Sequence, residues 1–267
     1  MSDDDGPPVT VDVERWLDVA LQLADVADMI SLAHFGGRVA ARTKDDGSLV
    51  TAADTAVEAA LRERLAVLAP DHAVLGEEEG GTIVSDVPTW VLDPIDATNN
   101  FLRGVPVYAT LLSLVESGEP VVGVASAPAM GQRWDAAASL GARRNGVAAG
   151  VSDVADLSEA QVLHGGLDWW HARQRRWDLL GRLVDRSWRT RGFGDFWMHL
   201  LVAGGMADVA VEQDLKAWDI AAVQCIVTEA GGRMTAWDGS SSSLSSGQAL
   251  TSNGVLHEQV ARLLTEG

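Results

Sequence analysis

A chain of 267 residues, 47% of them apolar, can bury a large core shared by two lobes, and that composition excludes disorder as its default state. No apolar run reaches the roughly 18 to 20 residues of a membrane span, and a lone cysteine, Cys225, excludes an intramolecular disulfide and a cysteine-based zinc cage. A formal net charge of −18 repels a nucleic-acid backbone and equally a phosphate ester, so a phosphate substrate would need a recruited cation; solubility is the plain alternative use of the acidity.

Residues 1–8 read as an acidic, disordered tail without the basic start or apolar stretch of a signal peptide, and the lone cysteine fits a reducing cytoplasm, the expected compartment. From Val13 to Ile30 apolar residues fall at helical spacing, and Gly36-Gly37 supplies a stop. After a turn-rich stretch at Lys44–Ser48, a second helix starts near Thr51, carries Val57, Leu61, Leu65 and Leu68 on one face, and ends at Pro70. Strands are predicted at Ala73–Gly76, Thr89–Asp93, Tyr108–Val115 and Val121–Ala127. The Gly-, Ala- and Asp-rich residues Gly131–Ser158 read as a connection between a first lobe, residues 9–140, and a second, residues 141–267.

The second lobe is predicted to hold strands at Gln161–His164, Ala207–Val211 and Met234–Trp237. Its helices are expected near Trp170–Asp185, Phe196–Ala203, Ala217–Ala230 and Val255–Thr265, with a serine-rich mobile loop at Gly239–Gly247. Strands and helices mixed in this order predict a layered α/β (α+β) protein.

Acidic residues gather at breaks between elements: Gly76-Glu77-Glu78-Glu79-Gly80, Asp93-Pro94-Ile95-Asp96, Trp218-Asp219, and Asp54 at the opening of the second helix. Each has a plain reading, as a solvated Glu run, a Pro turn with an N-cap, or a first-turn acid answering the helix dipole. Asp93 resists it. It follows four residues that read as a buried strand, a carboxylate there needs a partner, and no basic residue is near in sequence. Oxygen-only donors suit a hard cation such as Mg²⁺, and the tight turn can aim Asp93, Asp96 and the Ile95 carbonyl at neighbouring ions. A helix start at Ala97-Thr98 would offer free N–H groups to a phosphate beside them.

The ordered set Asp54, Gly76-Glu77-Glu78, DPIDATNNF (Asp93–Phe101) and WDIAA (Trp218–Ala222) resembles the inositol monophosphatase superfamily of Mg²⁺-dependent, lithium-sensitive phosphatases. Within it, Phe101–Leu114, Val122–Trp134, Arg189–Phe196 and Ala207–Leu256 are similar to the actinobacterial-type histidinol-phosphate phosphatases.

The resemblance implies alternating α-β-α-β-α layers with a metal site between two lobes, a small phosphate monoester as substrate, two or three Mg²⁺ ions and a homodimer. Glu77, Asp93 and the Ile95 carbonyl would hold one ion, and Asp93, Asp96 and Asp219 another. Glu77 would also order the attacking water, which Thr98 and Asp54 would orient and deprotonate. The Ala97 and Thr98 N–H groups would bind phosphate, while Glu212 and, more weakly, Asp195 would contact the alcohol. The chain departs from the pattern at Ala97, usually Gly, at Asn99, usually Lys or a Thr-type residue, and at Asp135, where the closer relatives tend to have Trp. At positive φ an alanine is strained by about 1 kcal/mol or more; in a helical conformation it costs little.

No other motif competes. The six histidines form no metal-binding pair and read as structural or surface residues, and Cys225 reads as core. Trp169, Trp170, Trp177, Trp188 and Trp197 read as core or subunit contact, with stacking on a substrate ring as the alternative. GxSxG, Walker and GxGxxG motifs are missing from the sequence. Three functions follow: a histidinol-phosphate phosphatase, whose cationic aminoalcohol suits Glu212 and Asp195; an inositol 1-phosphate or sugar-phosphate phosphatase; and a degenerate ligand-binding homologue, supported only by Ala97 and Asn99.

Overall fold

Every residue of the strand Thr89–Asp96 is buried, because alternate side chains enter opposite faces of a sheet that is covered on both. Trp90 and Leu92 pack with Trp16, Leu23, Val57 and Leu61 of the helices Val13–His34 and Ala52–Leu68. Val91 faces the other way and packs with Ala221 of the helix Ala217–Glu229. The computed structural model describes residues 12–37, 41–44, 49–171, 174–240 and 243–265, with backbone alone at Trp169, Gln174, Arg175 and Ser243. The tail expected at 1–8, residues 45–48 of the expected turn, and 241–242 of the serine-rich loop lie outside these residues.

The first sheet has seven strands in chain order: Ala73–Gly76, Thr89–Asp96, Ala109–Glu116, Glu119–Ala127, Gln132–Ala137, Gly141–Arg144 and Val147–Ala149. Its first pair is parallel and the rest antiparallel. The second sheet has five, in spatial order Arg189–Gly192, Gln161–His164, Val209–Gln213, Gln248–Ser252 and Arg233–Thr235; the first three run parallel. The helices Asp195–Ala203 and Ala217–Glu229 fill the space between the sheets, where Phe196, Leu200, Ile220 and Val223 meet Leu111, Ala125 and Ala249. Leu179 and Leu183 of Gln174–Arg186, with Val260 and Leu264 of His257–Thr265, cover the far face of the second sheet. The layering is therefore α-β-α-β-α.

The structure corrects several expectations. Gly131–Ser158 is no plain connection: it supplies the last three strands of the first sheet, which runs past the boundary expected at residue 140. Its Gly, Ala and Asp are depleted in strands, so local composition hid what packing of Trp134 and Ala136 enforces. The helix expected at Trp170–Asp185 is two, Leu167–His171 and Gln174–Arg186. Arg189–Gly192, a polar edge strand, and Gln248–Ser252, behind the serine-rich run, were not legible as strands. The tryptophans divide: Trp170 is buried and stacked on Trp237 at 5.1 Å, whereas Trp177 and Trp188 are exposed.

The helix Ala217–Glu229 lies so close to the first sheet that a Cβ on Gly123 would sit 2.4 Å from the Ala222 carbonyl oxygen and 2.9 Å from the Cys225 Cβ. Gly123→Ala is expected to lower stability by about 1–3 kcal/mol, read as a drop in the urea midpoint. Gly181→Ala, in a helix with open space around its Cα, should be neutral or stabilising by up to about 1 kcal/mol.

Candidate metal centre and adjoining cavity

Asp93 lies on the Val91 face of its strand, the face that meets the helix Ala217–Glu229. The register then slips: Asp93 pairs with Leu111 but Asp96 with Ala109, so the strand carries one extra residue at Pro94-Ile95. A bulge tolerates a proline that cannot donate to the ladder, and Thr110 Oγ1 ties it down by donating to the Pro94 carbonyl at 2.8 Å. The extra residue also brings Asp96, which regular alternation would send to the opposite face, to the side of Asp93. Asp219 enters from the first turn of its helix, with Oδ2 accepting the Lys216 N–H at 2.7 Å. Oxygens of Asp93, Asp96 and Asp219 thus lie within 4.8 Å of one another.

Three carboxylates this close repel one another. Burial, then the charges of Glu77, Asp96 and Asp219, hold the Asp93 carboxyl well above the usual range. Burial, then Asp195 and Asp219, do the same to Asp96. Asp219 is raised to about 7, mainly by burial. Backbone relief is partial, with the Phe196 N–H donating to Asp96 Oδ2 at 2.8 Å. Asp93 Oδ1 is buried with no hydrogen-bond partner. A divalent cation fits this donor set: all oxygen, mutually repelling, with one orphaned atom.

Glu77 stands beside this cluster, within hydrogen-bond reach of Asp93, but its Oε1 takes Lys44 Nζ at 2.8 Å. Lys44 also bonds Glu78 at 2.7 Å, and these hydrogen bonds hold its ammonium protonated against the opposing effect of burial. The turn Gly76–Gly80 that carries Glu77 is held by Glu58, whose fully buried carboxylate accepts the Glu78 and Glu79 N–H groups at 2.8 and 3.0 Å. Arg62 neutralises Glu58 at 2.9 Å and donates to the Gly80 carbonyl at 2.7 Å. Gly76 is glycine because a Cβ would sit 2.1 Å from Glu58 Oε1. The sequence reading missed Lys44, Glu58 and Arg62. An acid within the buried stripe Asp54, Leu61 and Leu65 was the available signal for Glu58.

Asp54 closes a capping box with Thr51, its Oδ2 accepting the Thr51 N–H at 2.9 Å. Its Oδ1 receives the Thr98 hydroxyl at 3.4 Å, and that hydroxyl also reaches the Ile95 carbonyl at 3.0 Å. Burial raises the Asp54 carboxyl, making it a better proton acceptor than a free aspartate. Ala97, immediately before the short helix Thr98–Leu102, has φ +65° and ψ +46°, a left-handed conformation that strains an alanine by about 1–2 kcal/mol.

A cavity of about 650 Å³ opens at the C-terminal ends of the parallel strands of the second sheet, lined by residues including Ala97, His164, Trp170, Arg191, Asp195 and Glu212. A second, of about 190 Å³, shares Asp195 and Glu212 and reaches Asp96 and Asp219. Asp195, at φ +53°, is raised to about 7 by burial and then by Glu212. Of the residues singled out from the sequence, Asp93, Asp96 and Asp219 converge with Glu77 beside them, Asp54, Thr98 and the Ile95 carbonyl are joined by hydrogen bonds, and Ala97, Asp195 and Glu212 line the cavities. His199, given only a structural or surface role from sequence, lines the second cavity.

The model of the inositol monophosphatase family matches residues 12–267. The histidinol-phosphatase of Mycobacterium tuberculosis is 43% identical over 255 residues, covering 93% of this chain and 97% of that protein. That of Streptomyces coelicolor is 42% identical over 261 residues, covering 94% and 97%. The structure of the Thermotoga maritima IMPase matches with a TM-score of 0.85 at 29% identity, covering 94% of this chain and 97% of that one.

A carboxyl raised in the folded state contributes stability below its unfolded pKa and loses it as pH rises through the folded value. With Asp195 and Asp219 raised from 3.8 to about 7, the chelator-treated protein should be more stable near pH 5 than near pH 8. Mg²⁺ should restore the loss at pH 8. Thermal melts across this range, with EDTA and with Mg²⁺, measure both effects; a flat profile would remove the repulsion argument.

Proposed function

The chain belongs to the inositol monophosphatase family, and from that premise we propose that it hydrolyses L-histidinol phosphate to L-histidinol and phosphate with Mg²⁺ at the acidic centre. The convergence of Asp93, Asp96 and Asp219, the first two buried, with an orphaned oxygen on Asp93, carries the reading. The choice of substrate is supported by the 42–43% identity, across nearly the whole chain, to two histidinol-phosphatases. It is also supported by chemistry: a cationic aminoalcohol suits a cavity walled by Asp195 and Glu212.

In this reading Asp93, the Ile95 carbonyl and Glu77 would hold one ion, Glu77 giving up Lys44 to do so. Asp93, Asp96 and Asp219 would hold a second. When bound, Mg²⁺ neutralises the ester and lowers the pKa of water. Thr98 and Asp54 orient the attacking water, whose proton passes toward the Asp54 carboxylate. The water oxygen bonds to phosphorus as the P–O bond to the alcohol breaks, the electron pair leaving with the alcohol oxygen, which takes a proton from solvent, with no covalent enzyme intermediate. The N–H groups of Ala97 and Thr98 receive the phosphate, and Glu212 and Asp195 face the substrate's ammonium. A second reading, an inositol 1-phosphate phosphatase, is favoured by the likeness to the Thermotoga maritima IMPase.

Phosphate release from both esters, with and without Mg²⁺, tests these readings. Faster Mg²⁺-dependent turnover of histidinol phosphate is expected; equal or faster turnover of inositol 1-phosphate would select the second reading, and no release from any ester would reject both. Asp93→Asn should abolish release while leaving the circular dichroism unchanged. Ala97→Gly should match or exceed wild-type kcat, since it removes the left-handed strain; a tenfold loss would show that the methyl group itself serves the site.

A further inference from the structure

His199 is 2% exposed, on the helix Asp195–Ala203 between the two sheets. Its Nε2 meets Glu212 Oε2 at 3.2 Å and its Nδ1 meets Thr251 Oγ1 at 2.8 Å. A carboxylate only accepts, so Nε2 carries a proton; in the neutral ring Nδ1 then accepts, and the Thr251 hydroxyl donates. Thr251 is fully buried on the strand Gln248–Ser252, paired on one side with Ala210 and on the other with Met234, so the far end of this relay is anchored inside a sheet.

The other carboxylate oxygen, Glu212 Oε1, accepts the Asp195 N–H at 3.3 Å. It lies over Gly165, where a Cβ would come within 2.6 Å of it. Glu212 lines both cavities. The Glu212 carboxylate is thus gripped at both oxygens, cleared of steric conflict by a glycine, and set on the wall that the metal-side and larger cavities share. A loose glutamate would sample rotamers and meet a cation at an entropic cost; a clamped one is preorganised.

We infer that His199, backed by Thr251, is a positioning residue that holds Glu212 for the ammonium of an aminoalcohol phosphate and so sets the preference for such esters over neutral polyol phosphates. This rests on the proposed reading, in which Glu212 faces the substrate's cationic end.

The readout is the ratio of kcat/KM for L-histidinol phosphate to that for inositol 1-phosphate, at saturating Mg²⁺. Wild type is measured first. A ratio of one or below overturns the substrate reading, and the inference falls with it. With a ratio above one, His199→Leu should lower the ratio at least tenfold, chiefly through KM for histidinol phosphate. Thr251→Val should lower it severalfold, and Thr251→Ser, which keeps the hydroxyl, should retain it. Glu212→Gln should collapse the ratio, and adding His199→Leu to it should cost no more. Equal losses on both substrates in His199→Leu and Thr251→Val would overturn the inference while leaving the substrate reading intact. If His199→Leu does not fold, the Thr251 pair decides.

Discussion

Three carboxylates brought within 4.8 Å of one another, two of them buried, are held against their own repulsion, and most of the architecture follows from that. A flexible loop could not do this, because it would relax until the charges parted. Here the acids sit on elements that cannot move independently. Asp93 and Asp96 lie on a strand buried along its whole length, and Asp219 lies on a helix pressed onto the same sheet. The bulge at Pro94-Ile95 is the small irregularity that turns two of the acids to one side. What rigidity costs the metal-free chain in electrostatics it returns as affinity for a divalent cation, whose charge converts the repulsion into attraction.

Other buried acids of the chain show what a purely structural carboxylate looks like. Glu58 is as buried as Asp93, yet it is matched by Arg62 and by two backbone N–H groups. Asp208, 6% exposed, accepts the Gln161 N–H and the Ser152 hydroxyl. Asp93 Oδ1 has nothing. Asp28 also keeps one buried oxygen without a partner, but its charge is met by Arg133 at 2.6 Å, whereas the unsatisfied oxygen of Asp93 sits where three acids meet, and that contrast marks the centre as built for a ligand.

Much of this was legible in the residues. Clustered acids after an apolar strand, with proline and a helix start beside them, announce a hard-cation site, and the joint pattern of Glu77, DPIDATNNF and WDIAA identifies the family. The main helices could be read from their 3.6-residue period. Contacts distant in the chain could not. No local pattern reports that Lys44 will reach Glu77, or that His199 will stand behind Glu212. The strands between residues 132 and 149, rich in Ala and Arg, were invisible for the same reason, since their partners and not their composition make them strands. Ala97 shows both sides: its substitution for the usual glycine was readable, but the sign of its φ, which decides what the substitution means, was not.

The layer of helices between the two sheets has a mechanical consequence. Ala217–Glu229 contributes side chains to a core that includes strands of both sheets, and it carries Asp219 at its tip. Prising the sheets apart would strip that core and draw the second sheet, with Glu212, away from the three acids, so access by hinged, clamshell-like breathing would undo the packing that holds the cavities against the centre. Ligand traffic is left to the rim, where the turns after the parallel strands border the larger cavity and can yield without disturbing the layers beneath.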